Sequence, residues 1–220
     1  MIISLLVPSR GRAKSFNEMV ETAYDNAWKP AQIEVVARLD DDDESLPKYG
    51  MSGLVGPRAT LSSYWNECAG SAHGEVLMQC ADDIRFRSEG WDHYVRKAFE
   101  GYPDKIAYVY GRDGIADERM ATHGFMHRRW YEALGYFTWP EFSSDYGDLW
   151  NHTIAERLGR LHYIEEVYTE HLHPAVDKAP MDQTHRERVE RDEGGVNHKI
   201  WEESQDDLTE AVVRLGSLLE

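Results

Sequence analysis

The chain has 220 residues, of which 41% are hydrophobic, 11% aromatic and 29% charged, the proportions of an ordinary globular domain able to bury one compact core. Lys and Arg number 24 against 40 Asp and Glu, a formal charge of −16. That balance excludes broad capture of nucleic acid by a basic surface and leaves a polyanion only a local cationic spot. Two cysteines, Cys68 and Cys80, exclude a disulfide framework and a cysteine-rich zinc module and point to a reducing, cytoplasmic setting.

The N-terminal stretch has no basic segment and reaches Pro8 too soon for a signal peptide or a membrane span, and no later run is apolar for long enough. Residues 2–7 form a branched apolar run stopped by Pro8 and Gly11, a strand buried on both faces. Ser15, three residues before Glu18, has the spacing of a capping box and predicts a helix over about residues 15–27. A second strand over 33–39 runs straight into Asp40, Asp41, Asp42 and Asp43.

Leu61, Tyr64, Trp65 and Cys68 recur at helical spacing and predict a helix over 60–72. A strand over 75–80 ends in Ala81-Asp82-Asp83, which places a second carboxylate cluster at a strand's carboxyl end. Further on, a helix is predicted over 91–100, a strand over 105–111, a short helix over 128–134 closed by Gly135, a helix over 149–158 and a strand over 161–169. Residues 177–197 read as loop, and Ile200, Leu208, Val212, Leu215 and Leu219 mark one closing helix. The alternation argues for a mainly parallel sheet flanked by helices, with ligands beyond the strand carboxyl ends. The division is a domain over 1–176 with a loop and helical extension over 177–220 packed on it.

Several groups fall at those ends. Asp82 and Asp83 offer hard oxygen ligands to Mg²⁺ or Mn²⁺, or form a solvated turn. His171 and His173, two apart in extended chain, project to one face and could join Asp83 on an ion such as Mn²⁺, or lie at the surface beside Pro174. Arg10 and Arg12, with Gly11 between them, could clamp a diphosphate or pair with nearby acids. The segment is neither a P-loop nor a Rossmann fingerprint. Asp145 and Asp148 precede a helix, where capping and general-base roles are equally open. Trp91, Trp130, Tyr131 and Trp139 read as core fillers.

Taken in order, these pieces resemble a GT-A glycosyltransferase, and more closely the GT2-like glycosyltransferases encoded by bacteriophages. The matching stretches are Leu6-Val7-Pro8-Ser9-Arg10-Gly11-Arg12, the Asp40 to Asp43 run, Asn66, Gly74-Glu75-Val76-Leu77-Met78 leading into Ala81-Asp82-Asp83-Ile84, Gly90-Trp91-Asp92, Leu134-Gly135-Tyr136-Phe137, Asp148-Leu149-Trp150, Gly159-Arg160-Leu161 and Glu170-His171-Leu172-His173-Pro174. The likeness spans about residues 1–185, and its specificity lies in the order of the motifs.

The resemblance implies an α/β GT-A fold, Rossmann-like, with a mixed, mainly parallel central sheet in a single domain carrying a C-terminal helix. It implies a nucleotide-sugar donor, UDP-linked, held by Pro8, Ser9, Arg10, Arg12, Asp40, Arg58, Asn66 and Asp82. Asp83 with His171 or His173 would bind Mn²⁺ or Mg²⁺, and Asp148, or alternatively Asp145, would be the base of an inverting transfer. Ala81 stands where many relatives have a first Asp, so the roles of Asp82 and Asp83 stay open. Phage relatives make a 5-hydroxymethylpyrimidine in DNA one acceptor candidate, with Arg85/Arg87, Arg128/Arg129 and Arg186/Arg188 as a strip for a strand. Polysaccharide, protein and small-molecule acceptors stay open, as does a monomer or homodimer. The competing readings are a nucleotidyltransferase and a non-catalytic nucleotide- or sugar-binding module.

Overall fold

In the computed structural model of the chain, which describes residues 1–219, the branched N-terminal run forms β1 (Ile3–Ser9). Ile3, Leu5 and Val7 enter one core cluster and Leu6 the other, the two-sided burial of a central parallel strand. Next come α1 (Ala13–Asp25), β2 (Ile33–Asp40), β3 (Leu54–Gly56), α2 (Leu61–Ser71), β4 (Val76–Gln79), β5 (Ile84–Phe86) and α3 (Trp91–Glu100). The second half contains β6 (Tyr108–Arg112), β7 (Phe125–His127), α4 (Arg128–Leu134), α5 (Gly147–Leu158), β8 (Leu161–His171), α6 (Gln183–Arg191), α7 (Val196–Glu203) and α8 (Gln205–Gly216).

The strands make one sheet in the order β3-β2-β1-β4-β7-β6-β8-β5. β1 runs parallel to β2 and β4, β2 to β3, and β6 to β8. β7 is antiparallel to both β4 and β6, and β5 is antiparallel to β8. The α/β architecture with a mixed sheet is thus the one expected. Helices α1 and α3 pack on one face around Phe16, Trp91 and Phe99, and α2, α4, α5 and α8 pack on the other around Trp65, Trp130 and Trp150. Trp91 and Trp130 are fully buried and Trp139 stacks on Trp150 with centroids 4.9 Å apart, so these aromatics fill the core as read.

Several local expectations are corrected. Helix α1 starts at Ala13, with Arg12 at its N-cap and no side-chain cap. Ser15 Oγ instead donates to the Asp82 carbonyl at 2.9 Å, and Glu18 pairs with Arg85, so neither forms a capping box. Lys105 sits at a left-handed φ of 62°, which delays β6 to Tyr108. The stretch 177–197 contains α6 and the start of α7, and the closing helix is two helices broken at the buried Ser204. Three strands of three residues each, β3, β5 and β7, were not expected.

One irregularity shapes the sheet. The β6 and β8 register jumps from Gly111 opposite Ile164 to Arg112 opposite Tyr168, which bulges β8. A Cβ on Gly111 would lie 2.3 Å from the Val167 carbonyl oxygen, so the bulge needs glycine there.

The arginines of the expected strip have partners within the protein. Arg85 is buried on Glu18, Arg87 bonds Glu170, Arg128 donates to the carbonyls of Gly74 and Ala72, Arg186 to that of Met181, and Arg188 pairs with Asp145. In a chain this acidic, each cation finds a local partner first.

Candidate functional site

The carboxyl ends of β1, β2, β4 and β8 and the start of α5 converge on one open cavity of about 1180 Å³, counting its mouth. Pro8, Ser9, Arg10, Arg12, Asp40, Arg58, Asp82, Asp83, Asp145, Asp148, His171 and His173 all line it. Asn66 does not. Its side-chain oxygen accepts from the backbone N–H of Phe137 and Thr138, and its amide donates to the Thr138 carbonyl at 2.9 Å. Asn66 ties α2 to the loop after α4 and is not among the residues that line the cavity.

The acidic run at the end of β2 divides its labour. Asp40 is buried, accepting from Tyr64 Oη and from Arg10 Nη1 at 2.9 Å. Asp42 lies at the surface and clamps the same guanidinium. Asp43 turns inward to accept from the Gly11 N–H at 2.8 Å, the Ser45 N–H at 2.8 Å and Tyr49 Oη at 3.1 Å. Burial raises its pKa, but these bonds outweigh burial and hold it below the usual carboxylate range. Asp43 therefore anchors the loop that carries both arginines, with Gly11 at a left-handed φ of 67°.

Asp82 and Asp83 share one cation. Arg12 Nη1 lies 3.2 Å from Asp82 Oδ1 and 3.3 Å from Asp83 Oδ2. Asp82 also accepts from Ser9 Oγ at 2.6 Å. Burial pushes the Asp82 carboxyl up to about 6, opposed by Arg12 and reinforced by the charge on Asp83. Asp83 goes the other way. Burial opposes its charge, yet His171, whose Nε2 is 3.5 Å from Asp83 Oδ1, and Arg12 hold it below the usual range. Asp83 is thus the carboxylate that stays ionised and meets an imidazole.

Around it stands a row of imidazoles. His171 contacts His123 edge-on with centroids 4.8 Å apart, His173 at 5.1 Å, and His173 contacts His185 at 5.1 Å. His173 Nδ1 accepts from the Ala175 N–H at 3.1 Å, which leaves Nε2 protonated in the neutral ring, a donor facing the cavity. His171 is then the ring that meets Asp83, and His173 the one whose Nε2 carries the proton in the neutral ring. Burial, followed by the charge of His171, lowers the pKa of His173 to about 4. Among the described residues neither ring nitrogen of buried His123 has a hydrogen-bond partner.

Asp148, which lines the same cavity, stands in the first turn of α5. Its Oδ1 accepts from the Leu149 N–H at 2.8 Å. Burial pushes its pKa up to about 6, against that bond and with the charge on Asp145 adding. Asp145 is raised by burial and pulled back by Arg188, whose Nη1 is 3.1 Å from Asp145 Oδ1. Among the described residues Asp148 has no arginine or lysine partner within ion-pair distance, whereas Asp145 does. A raised, unpaired carboxylate at a cavity wall is suited to taking a proton near neutral pH.

Sequence reasoning missed Gln79, His123, Asp182, Thr184 and His185. Asp182 accepts from the His185 N–H at 2.9 Å, and an Asp three residues before that donor has N-cap spacing, a signal available in the stretch assigned to loop. Nothing in the sequence around His123 distinguishes it.

No protein-family model matches the sequence, and neither does any curated protein. Solved structures do. The chain is similar to S. aureus TarS, with a TM-score of 0.61 and 12% identity, covering 88% of this chain and 44% of TarS, so it spans under half the length of that protein. It is also similar to the mannosyltransferase PcManGT from Pyrobaculum calidifontis, solved in complex with GDP-Man and Mn²⁺, with a TM-score of 0.62 and 11% identity over 98% of this chain and 73% of the other. TarS 1-349 in complex with UDP-GlcNAc gives a TM-score of 0.59 and 14% identity, covering 100% of this chain and 84% of the other. At such identities the likeness establishes the fold, and that fold is GT-A.

Proposed function

We propose that the protein transfers a sugar from a nucleotide-sugar, UDP-linked, to an acceptor hydroxyl with inversion at the anomeric carbon. The observation that carries this reading is the convergence on one cavity of the Arg10–Arg12 loop, the Asp82-Asp83 pair with His171, and the raised carboxylate of Asp148. The GT-A neighbours solved with UDP-GlcNAc and with GDP-Man and Mn²⁺ support it.

A divalent metal fits the donor set in part. Asp83 and His171 make the carboxylate and imidazole pair that suits Mn²⁺, and Asp82 and His173 stand next to them. Among the described residues no group of three acidic, imidazole or thiol side chains is gathered in ligating geometry, so diphosphate oxygens and water would complete the shell. When bound there, the ion would neutralise the charge that develops on the departing diphosphate.

The chain's own residues supply the rest. Asp148 accepts the proton of the acceptor hydroxyl as its oxygen attacks the anomeric carbon, and the bond from that carbon to the diphosphate oxygen breaks. Arg12 and the His173 Nε2–H stabilise the leaving diphosphate. Ser9 and Asp82 keep Arg12 aimed into the cavity. Asp145, held by Arg188, shapes the acceptor side and is the second choice for the base.

A hydroxymethylated pyrimidine in DNA is the acceptor suggested by the phage resemblance, but the arginines that would track a strand are occupied by local partners. The test of the donor reading is calorimetry and turnover with a UDP-sugar panel, with and without Mn²⁺, on the native protein and on Asp148→Asn. Metal-enhanced UDP-sugar binding and UDP release confined to the native protein are expected. Binding by both proteins with neither turnover nor hydrolysis would favour a non-catalytic binding module.

A further inference from the structure

Thr184, His185, Arg188 and Arg191 of the segment 182–191 line the cavity, and the segment is held there by charge. Asp182 grips Arg12 with both oxygens, Oδ2 at 2.7 Å from Nε and Oδ1 at 2.8 Å from Nη2. Glu187 pairs with Arg58. Thr184 Oγ1 donates to the Arg10 carbonyl at 3.0 Å, and Arg188 reaches Asp145. Apolar anchoring is slight. His185 is the one buried residue of α6, while Met181 and Val189 are 52% and 60% exposed. A segment held mainly by ion pairs, without an apolar face in the core, opens at low cost.

Its partners are the point of interest. Arg12 and Arg58 are two of the cations placed at the donor site, and a guanidinium fork fits a carboxylate and a phosphate in the same way. Asp182 and Glu187 thus offer these arginines the same chemistry that a diphosphate would. We infer that the strap over residues 182–191 is a built-in competitor of the donor: its two carboxylates hold Arg12 and Arg58, and a nucleoside diphosphate binds by displacing them. This rests on the donor-site reading above. It differs from a flap that folds down onto the donor, because such a flap adds contacts to the nucleotide and its weakening loosens binding. A competitor does the reverse, since donor affinity is reduced by the fraction of molecules in which the strap is latched.

Two measurements on the full chain decide it. Calorimetry with UDP compares the native protein with Asp182→Asn/Glu187→Gln, whose fold is checked by circular dichroism and melting temperature. The variant is expected to bind UDP about three- to tenfold more tightly. Hydrogen exchange on the native protein, which needs no variant, is expected to speed up over residues 182–191 when UDP is added. UDP bound equally or more weakly by the variant, or exchange over 182–191 slowed or unchanged by UDP, would overturn the competitor and leave the donor site standing. Failure of both proteins to bind UDP or GDP would overturn the donor reading and the competitor with it.

Discussion

Asp148 and Asp83 are both carboxylates at the rim of one cavity, and their surroundings push them in opposite directions. Asp83 faces Arg12 and His171 and stays ionised, while Asp148 has only the Leu149 N–H and sits half-buried beside Asp145. Replacing Asp148 by Asn should reduce sugar transfer by about 10²- to 10⁴-fold, the range of a general base, with UDP affinity changed less than about twofold. Steady-state kinetics with parallel calorimetry checks both halves. Turnover should also fall as pH drops below about 6, the value to which burial raises Asp148, because the base must be ionised. The stability consequence has the opposite sign. A carboxyl whose folded pKa lies above its unfolded one adds stability below about 4 and loses it as pH rises through about 6. Asp148→Asn should therefore raise stability at pH 7.5 by about 1 kcal/mol, allowing for partial exposure, and by nothing near pH 4. Urea melts at both pH values measure this.

His171 was legible as a candidate from the His-x-His spacing only in the company of the Asp82-Asp83 pair, and which of His171 and His173 meets Asp83 was not legible. That depends on the Ala175 N–H occupying His173 Nδ1, a backbone contact two residues away that spacing does not encode. If His171 is the ligand, His171→Ala should weaken Mn²⁺ binding by at least about tenfold. His173→Ala should leave Mn²⁺ affinity within about threefold and loosen UDP instead. Electron paramagnetic titration of Mn²⁺ separates the two.

Among elements, α5 sets the geometry of the proposed base. Tyr146 precedes it at a left-handed φ of 74°, a conformation disfavoured for a non-glycine residue, held by its stacking on Phe142. Gly147 follows, and a Cβ there would lie 2.6 Å from Thr138 Oγ1. Gly147→Ala should therefore shift the first turn of α5, destabilise the fold by about 1–3 kcal/mol and lower kcat more than it alters donor binding. A melting curve together with a kcat and KM pair would show it. Elements such as β1 and α2 were readable from sequence because their own side chains specify them, by a branched apolar run in the first and by helical spacing in the second. The three-residue strands were not, because they are defined by neighbours: β7 exists by pairing with β4 and β6, and β5 by pairing with β8. The capping box failed for a related reason, since Ser15 and Glu18 found tertiary partners in Asp82 and Arg85.

At the scale of the molecule, the GT-A fold was legible because motif order along the chain maps onto strand ends in a doubly wound sheet. The strap was not, because its polar composition resembles loop and its fixed points lie far away in sequence, Arg12 at a distance of 170 residues from Asp182. The acidic total of −16 and the local pairing of the arginines argue against duplex affinity that is independent of base chemistry. Unmodified duplex DNA should show no binding in a gel-shift assay at about 150 mM salt up to micromolar protein. No described helix is long and apolar enough to cross a membrane.

The central claim is glycosyl transfer from a nucleotide-sugar at the cavity that joins Arg12, Asp83 and Asp148. Its most direct test is the identity of the phosphorus product, read by ³¹P NMR, when the protein is incubated with UDP-sugars, nucleoside triphosphates and Mn²⁺ and a pool of hydroxyl acceptors that includes hydroxymethylated DNA. The account predicts free UDP, formed by the native chain and lost in Asp148→Asn. Pyrophosphate from a nucleoside triphosphate in the same assay, with no UDP from any sugar donor, would contradict it and identify a nucleotidyltransferase.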